Sequence, residues 1–270
     1  MWSIASGEKW WASSERTSMA DTPTGHLTVE RIALDSEGPC HAFGIETREH
    51  LVYALVGKMR VYANSRFLGT IGGRSAVTDP LAHVVRFPAG TLSTVTLVLE
   101  GFAADCLIAS CDTVPNGATK LPYVHWNDAY THTVGTGTHE RLVTEVVTPP
   151  SFHLSCGETL NAPGTTSSWP PHASIEDVQL YQEGKTTWEE CFYIVAPKPG
   201  KAVLYGIYPG NRPINETITL NNGDIVPMPL YSHMVTAAPD SFLYYFWTYC
   251  GNALQKEYRK HSTDVLTYRK

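Results

Sequence analysis

Three side chains in the second half of the chain are of types that bind divalent metal ions. His172 follows a pair of prolines, Glu190 opens a strand-like run, and His233 lies just beyond a proline-rich strand end. Imidazole and carboxylate ligands together suit a borderline ion such as Zn, Mn, Fe or Ni. A bound ion can stabilise negative charge that develops on a substrate oxygen. The three side chains can act together only if the elements that carry them face one cavity.

The elements predicted to position these residues are short β-strands. Alternate side chains along a strand point to the same side, so several strands can direct ligands into one barrel interior. The tyrosines and Trp247 in Phe242–Tyr249 are interpreted as core rather than as a surface for a ligand, because they alternate along a strand. The predicted strands are rich in Val, Ile, Tyr, Phe and Thr and bounded by turn-forming residues: His50–Val56, Met59–Tyr62, Val84–Phe87, Val95–Leu99, Leu142–Val147, Cys191–Val195, Ala202–Tyr208, Glu216–Leu220, Ile225–Met228 and Phe242–Tyr249.

A repeat in the sequence indicates two β units of similar size. The matching features, first copy then second, are the runs opened by Glu49 and Glu190, the Gly-Lys turns at Gly57 and Gly200, the strand-ending prolines Pro88 and Pro229, and the closing runs Thr94–Leu99 and Phe242–Tyr249. From turn to proline is 31 residues in the first copy and 29 in the second. This matched order predicts a duplicated unit, with an N-terminal barrel over residues 1–115 and a C-terminal barrel over residues 116–270.

Gly164–His172 reads GTTSSWPPH and is followed by the run Glu189–Tyr193, which reads EECFY. The first of these segments is similar to the Gly-x-Trp-Ser-Ser-Tyr-Pro-Pro-His-x-His run of the 5-deoxyglucuronate isomerase family of inositol catabolism, and the chain resembles that family. The further matching segments, which occur in the family's order, are Gly72–Val77, Glu189–Tyr193, Asn222–Val226, His233–Pro239 and Leu243–Tyr245. The related 4-deoxy-5-ketouronate isomerases share the same architecture.

The resemblance implies an all-β fold of two tandem cupin barrels (a double-stranded β-helix, or jelly roll), known as a bicupin. It implies an aldose–ketose isomerase that acts on a uronate-type sugar acid, with metal ligands His172, Glu190 and His233. The first copy offers only Glu49 and His83 at comparable places, so the N-terminal barrel is expected to hold no metal.

One departure from the family bears directly on the metal. The family's second histidine falls on Ser174, since this chain reads His-Ala-Ser from position 172. A hydroxyl is a poor substitute for imidazole on such an ion. Three outcomes are open: water completes the coordination, Glu176 or Asp177 substitutes, or the metal has been lost.

Two further roles follow from the expected reaction. A base must carry a proton between neighbouring carbons of the sugar, and Glu176, Tyr244 and Tyr245 are the candidates. The substrate carboxylate calls for a cation, because a guanidinium matches its geometry with two parallel hydrogen bonds. Arg212 lies in a turn at the matching place, and a solvated turn arginine is the alternative interpretation.

Charge and composition limit the other function classes. The net charge is −6 and the pI about 6.0, which gives no basic footprint for nucleic acid. No apolar run is long enough to span a membrane, and the first residues do not form a secretion signal. The six cysteines are therefore expected to be reduced thiols in a cytoplasmic protein. Its expected partner is a small sugar acid, and a homo-oligomer is left open.

Three competing hypotheses are retained. The Ser174 departure favours a non-catalytic or altered-function carbohydrate-binding cupin that has lost part of the metal site. A metal-dependent cupin of another reaction class, such as a dioxygenase, would require iron and oxygen consumption. A purely structural β protein would use neither histidine. Fold likeness alone cannot choose among them.

Overall fold

The computed structural model describes residues 17–21, 27–45, 47–79, 83–90, 94–112, 123–125, 129–148, 152–172, 189–206, 214–228 and 232–250. These residues form twenty β-strands and one short 3₁₀ turn, Gly137–His139. The strands are β1 (Thr17–Asp21), β2 (Leu27–Leu34), β3 (Cys40–Gly44), β4 (Arg48–Val56), β5 (Lys58–Ala63), β6 (Arg66–Gly72), β7 (His83–Phe87), β8 (Thr94–Leu99), β9 (Ala104–Asp112), β10 (Tyr123–His125), β11 (Ala129–Val134), β12 (Arg141–Val146), β13 (Ser155–Asn161), β14 (Thr166–His172), β15 (Glu189–Val195), β16 (Gly200–Gly206), β17 (Ile214–Leu220), β18 (Ile225–Met228), β19 (Ser232–Thr236) and β20 (Leu243–Cys250). Among the described residues no helix is long and apolar enough to cross a membrane.

Local sequence explains the strands and the turns between them. In β5, Met59, Val61 and Ala63 are buried while Lys58 and the other alternating positions are more exposed, which is the pattern of a strand with one face on a core. Gly57 separates β4 from β5 with a φ of +72°, and a Cβ there would lie 2.2 Å from the carbonyl oxygen of residue 103. Only glycine fits that turn, because it lacks the Cβ.

The strands form four antiparallel sheets that make two barrels. The first barrel combines the six-stranded order β1-β2-β9-β4-β7-β10 with the four-stranded order β3-β8-β5-β6. The second combines β11-β12-β13-β20-β15-β18 with β14-β19-β16-β17. Nine strands of each barrel correspond in order, from β1 to β9 in the first and from β12 to β20 in the second. The predicted duplication is therefore present in the strand topology.

Two details of the expected repeat differ. The run Thr94–Leu99 is β8 of a four-stranded sheet, whereas Phe242–Tyr249 lies in β20, which corresponds to β9. The two closing runs are thus not counterparts; the true counterpart of β8 is β19. Residues 123–125 form β10 and pair with β7 of the first barrel. The division at residues 115 and 116 stays a prediction.

Each barrel has a core, and a third core joins them. The core between the two six-stranded sheets draws on both halves of the chain, and the central strands β4, β9 and β20 are therefore buried on both faces. The first barrel is filled by Ile32, Leu34, Ile45, Val52, Ala54, Met59, Val61, Ala63, Ile71, Val85, Phe87, Val95, Leu97, Ala104, Cys106 and Ile108. The second is filled by Phe192, Ile194, Ala196, Ala202, Leu220, Val235, Ala237, Leu243 and Tyr245.

Charged side chains also cross between the barrels. Arg74 Nη1 of the first barrel lies 2.6 Å from Glu158 Oε1 of the second, and both side chains are almost fully buried. Tyr53 donates a hydrogen bond to the same carboxylate, and Arg74 Nη2 donates to the hydroxyl of Tyr244 at 3.3 Å. Removal of one partner would leave an uncompensated buried charge, so this pair fixes how the barrels are joined.

Candidate functional site

Strand β15 directs alternate side chains to opposite sides. Cys191, Tyr193 and Val195 belong to the core between the barrels. Phe192 and Ile194 belong to the core inside the second barrel. Glu190 has the same parity as these two, so it lies on the strand face that lines the second barrel.

The Glu190 carboxyl is shielded from water by the residues around it. The residue is half-buried, and no hydrogen-bond or ion-pair partner for its carboxyl occurs among the described residues. Burial raises the pKa of Glu190 to about 8. A desolvated carboxyl of this kind gains most from a nearby cation, because an opposite charge restores its ionised form. Perturbed carboxyls inside a barrel are typical of functional sites.

His233 faces the same interior from the other sheet. It is only 2% exposed, lies on β19, and shares its strand face with the core residue Val235. Its ring meets the ring of Phe192 edge to face, with the centroids 5.3 Å apart. Phe192 is two residues after Glu190 on the same strand face. The strand that carries one predicted ligand therefore contacts the other predicted ligand, His233.

His172 reaches this sheet through an irregular strand. Ser167 pairs with Val235 and His172 with His233, so five steps along β14 match two along β19. Ser168, within this bulge, has a φ of +56°. The register places His172 directly opposite His233, and its side chain lies outside the described part of the chain. Bulges of this kind commonly re-aim side chains at functional sites.

Ser167 holds the bulged strand to the barrel wall. It is fully buried, and its hydroxyl accepts hydrogen bonds from Asn161 Nδ2 and from the Tyr245 hydroxyl, both at 3.0 Å. Its own hydroxyl lies 3.2 Å from the carbonyl oxygen of Val235. These buried hydrogen bonds hold the strand that carries His172 against β13, β19 and β20.

The predicted proton carriers and the residue predicted to bind the substrate carboxylate lie in different parts of the chain, and only some of them are described by the structure. Tyr244 is fully buried on the face of β20 that packs against the first barrel, with its hydroxyl near Arg74. It is therefore not brought together with the predicted ligands, because neighbouring residues on a strand point to opposite faces. Tyr245, the adjacent candidate, does line the second barrel. Glu176, Ser174 and Arg212 lie outside the described residues, as does Asp177.

The comparable places in the first barrel also need correction. Glu49 does not correspond to Glu190: it points between the barrels and accepts hydrogen bonds from the backbone N–H groups of residues 153 and 154. His50 lies opposite Phe87, just before Pro88, as Glu190 lies opposite Met228, just before Pro229. His50 is thus the counterpart of Glu190. Aligning Glu49 with Glu190 was wrong by one residue, and on a strand a shift of one residue moves a side chain to the opposite face.

The core interpretation of Trp247 is confirmed in part, since the residue keeps some exposed surface. Trp247 packs partly buried against the core of the second barrel and lies between Phe192 on β15 and Gly157 on β13. Tyr249, two residues later, lies opposite Glu190. The alternation along β20 was available as a signal, but both faces of the strand are apolar and neither is marked as inward.

The donor types fit a divalent ion. Among the described residues no group of three or more His, Cys, Asp or Glu side chains is placed to hold one. Two members of the predicted set, Glu190 and His233, are described with their side chains, and the third occupies the register position opposite His233. A desolvated carboxyl and a buried imidazole, on strand faces that line the same barrel, are chemically suitable ligands.

Comparison with known proteins assigns the family. The model of the KduI/IolB family matches residues 8–265. A 5-deoxy-glucuronate isomerase of Halalkalibacterium halodurans is 28% identical over 239 residues, 85% of each chain. An IolB-like protein of Salmonella typhimurium LT2 superposes with a TM-score of 0.74 at 21% identity, covering 88% of each chain. Oxalate decarboxylase of Bacillus subtilis, described with Mn(II) centres, superposes with a TM-score of 0.58 at 12% identity, covering 93% of this chain and 75% of its own. The expected bicupin fold is confirmed, and the chain belongs to the KduI/IolB family.

Proposed function

We propose that this protein is an aldose–ketose isomerase of uronate-type sugar acids, with 5-deoxyglucuronate as the first substrate to test. The observation that carries the proposal is that Glu190 and His233 lie on strand faces that line the second barrel, with His172 paired opposite His233 in the strand register. Relatives named 5-deoxy-glucuronate isomerase, matched over most of the chain, support the same reaction.

The reaction moves a proton from the hydroxyl-bearing carbon of the aldose to the neighbouring carbonyl carbon. The barrier is the negative charge of the enediolate that forms between the two steps. A divalent ion held by His172, Glu190 and His233 would stabilise charge on the two oxygens of this intermediate. Ligation would keep Glu190 ionised near neutral pH, against the rise in pKa that burial alone imposes.

The chain's own side chains supply the remaining requirements. Phe192 and Ile194 line the barrel interior with apolar surface, which would strengthen electrostatic interactions there. Glu176 is proposed as the proton carrier, with the inward-facing Tyr245 as the alternative. Arg212 is proposed to bind the substrate carboxylate through a bidentate pair.

The test is turnover of 5-deoxyglucuronate followed by nuclear magnetic resonance of the product. Wild type is expected to yield the ketose, and His172→Ala and His233→Ala to lose at least about 100-fold in kcat/KM. Phe102→Ser, at a side chain that is 98% exposed, is the matched control and should keep full activity. Turnover unchanged by both histidine substitutions would overturn the proposal.

A carbohydrate-binding protein without activity is the second candidate. Ser174, at the place of the family's second histidine, favours it. This candidate predicts that a uronate raises the melting temperature while no product forms. Product formation by wild type excludes it.

We also propose a cytoplasmic location, which the six free cysteines support because reduced thiols are typical of that compartment. Self-association is proposed as well, and light scattering of the purified protein tests it. A mass equal to a single chain would exclude a stable homo-oligomer.

A further inference from the structure

The inner face of β20 carries a row of three aromatic side chains. Tyr245 is 3% exposed and Tyr249 is 4% exposed, whereas Trp247 between them keeps partial access to solvent. The ring planes of Trp247 and Tyr249 are within 9° of parallel, with centroids 5.7 Å apart. Trp247 is therefore the member of this row that a ligand inside the barrel can touch.

Gly157 makes room for the indole. It pairs directly with Trp247, and a Cβ on Gly157 would lie 2.2 Å from Trp247 Cζ2. The ring thus lies against the backbone of β13, in space that any other residue would fill. The indole of Trp247 can take this orientation because Gly157 has no side chain.

The rings of Trp247 and Tyr249, here called the aromatic platform, lie on the strand next to the one that carries Glu190. Trp247 is opposite Phe192, whose ring contacts His233. Tyr249, the parallel neighbour of Trp247, is opposite Glu190. One wall of the barrel interior is therefore aromatic, while Glu190 lies on the neighbouring strand β15 and His233 on β19 of the other sheet.

A sugar acid that enters such a cavity has two chemically different sides. Its carbonyl and hydroxyl oxygens need polar partners, which Glu190 and His233 supply. Carbons without hydroxyl groups pack well on an aromatic face, whereas a hydroxyl placed against indole carbon loses its hydrogen bonds to water. The compound 5-deoxyglucuronate has a CH₂ group at carbon 5, where glucuronate has a hydroxyl.

We propose that Trp247, seated on Gly157, determines substrate specificity by receiving the CH₂ carbon of a 5-deoxy sugar acid. This inference rests on the proposed function. An apolar wall rejects an added hydroxyl only moderately, by about 10- to 100-fold. The protein should therefore prefer 5-deoxyglucuronate to glucuronate by a ratio in that range.

The experiment compares the two sugar acids in kcat/KM and, by calorimetry, in Kd. Trp247→Phe keeps an aromatic face and should keep most of the preference. Trp247→Gln offers a polar partner for the hydroxyl and should reduce the preference at least about tenfold, through both Kd and KM. Gly157→Ala should reduce it too, because the new methyl group displaces the indole.

Phe246→Leu is the matched control. Phe246 is the next residue on β20 but faces the core between the barrels, so its substitution lowers stability and leaves the substrate preference unchanged. An unchanged preference in Trp247→Gln, with both sugar acids still bound, would overturn the platform. Binding without turnover in wild type would overturn the proposed function instead, and the Kd ratio would still decide the role of Trp247. If wild type neither binds nor converts either compound, both proposals fail.

Discussion

The two barrels have the same nine-strand order but differ in the side chains on their inner walls. In the first, β9 contributes Cys106 and Ile108, and Glu30 of β2 lies opposite Ile108. In the second, β20 contributes Tyr245 and Trp247, and β13 recedes to Gly157. Topology alone therefore does not make a site; the inner-face residues decide which barrel can act on a ligand.

The difference continues at the ligand positions. On β8 of the first barrel the inward residues are the buried aliphatic side chains Val95 and Leu97, where its counterpart β19 has His233. His50 stands where the second barrel has Glu190, with the ring of Phe43 5.5 Å away. The first barrel thus carries aliphatic side chains and an imidazole where the second barrel carries the predicted ligands.

The largest expected effect comes from giving the second barrel the character of the first. His233→Leu replaces a buried imidazole by an aliphatic group such as β8 carries. We expect kcat/KM to fall about 10²- to 10³-fold, because a group that stabilises developing charge is lost. Circular dichroism should show a folded protein. Leu97→Val in the first barrel is the control; equal loss of activity in both variants would contradict the assignment of the site.

Removal of the buried ion pair between the barrels tests how much that pair contributes to stability. Arg74→Met leaves Glu158 buried without its partner, and we expect the free energy of unfolding to fall by about 3–5 kcal/mol. Urea denaturation measures this fall. The double variant Arg74→Met with Glu158→Met should lose less than Arg74→Met alone, since no charge remains unpaired. A loss in the double variant equal to or above the single loss would show that the charges are not coupled.

Acid should destabilise the first barrel through His50. Burial lowers the pKa of His50 to about 4, so between pH 6.5 and pH 4 the unfolded chain binds more protons than the folded protein. Stability therefore falls as pH falls through this window, by up to about 3 kcal/mol from this residue. His50→Gln should flatten the dependence, as measured by urea unfolding at several pH values. An equally steep loss in the variant would exclude His50 as its source.

The smallest effect is expected at Ile108, which occupies the position in the first barrel that Trp247 occupies in the second. Ile108→Val removes one buried methylene group and should cost about 1 kcal/mol of stability. Activity and substrate preference should stay as in wild type. A changed preference would indicate that the first barrel also contacts the substrate.

Sequence patterns predicted the strands and their duplication. They did not predict which side chains face inward on strands that are buried on both faces. The strands and their duplication follow from alternation and turn residues. Tyr244 and Tyr245 could not be told apart, because every residue of β20 from Leu243 to Phe246 is buried and no polar face marks the phase. The same reason explains the slip between Glu49 and His50 on β4. Trp247 contacts Gly157 across two strands that are far apart in the chain, so no local sequence pattern predicts this contact.

The metal content of the purified protein tests the central claim most directly. Inductively coupled plasma mass spectrometry is expected to find about one divalent ion per chain in wild type and in His50→Gln. His233→Leu is expected to lose it. Wild type without an ion, or an ion lost from His50→Gln and kept in His233→Leu, would contradict the assignment of the site to the second barrel.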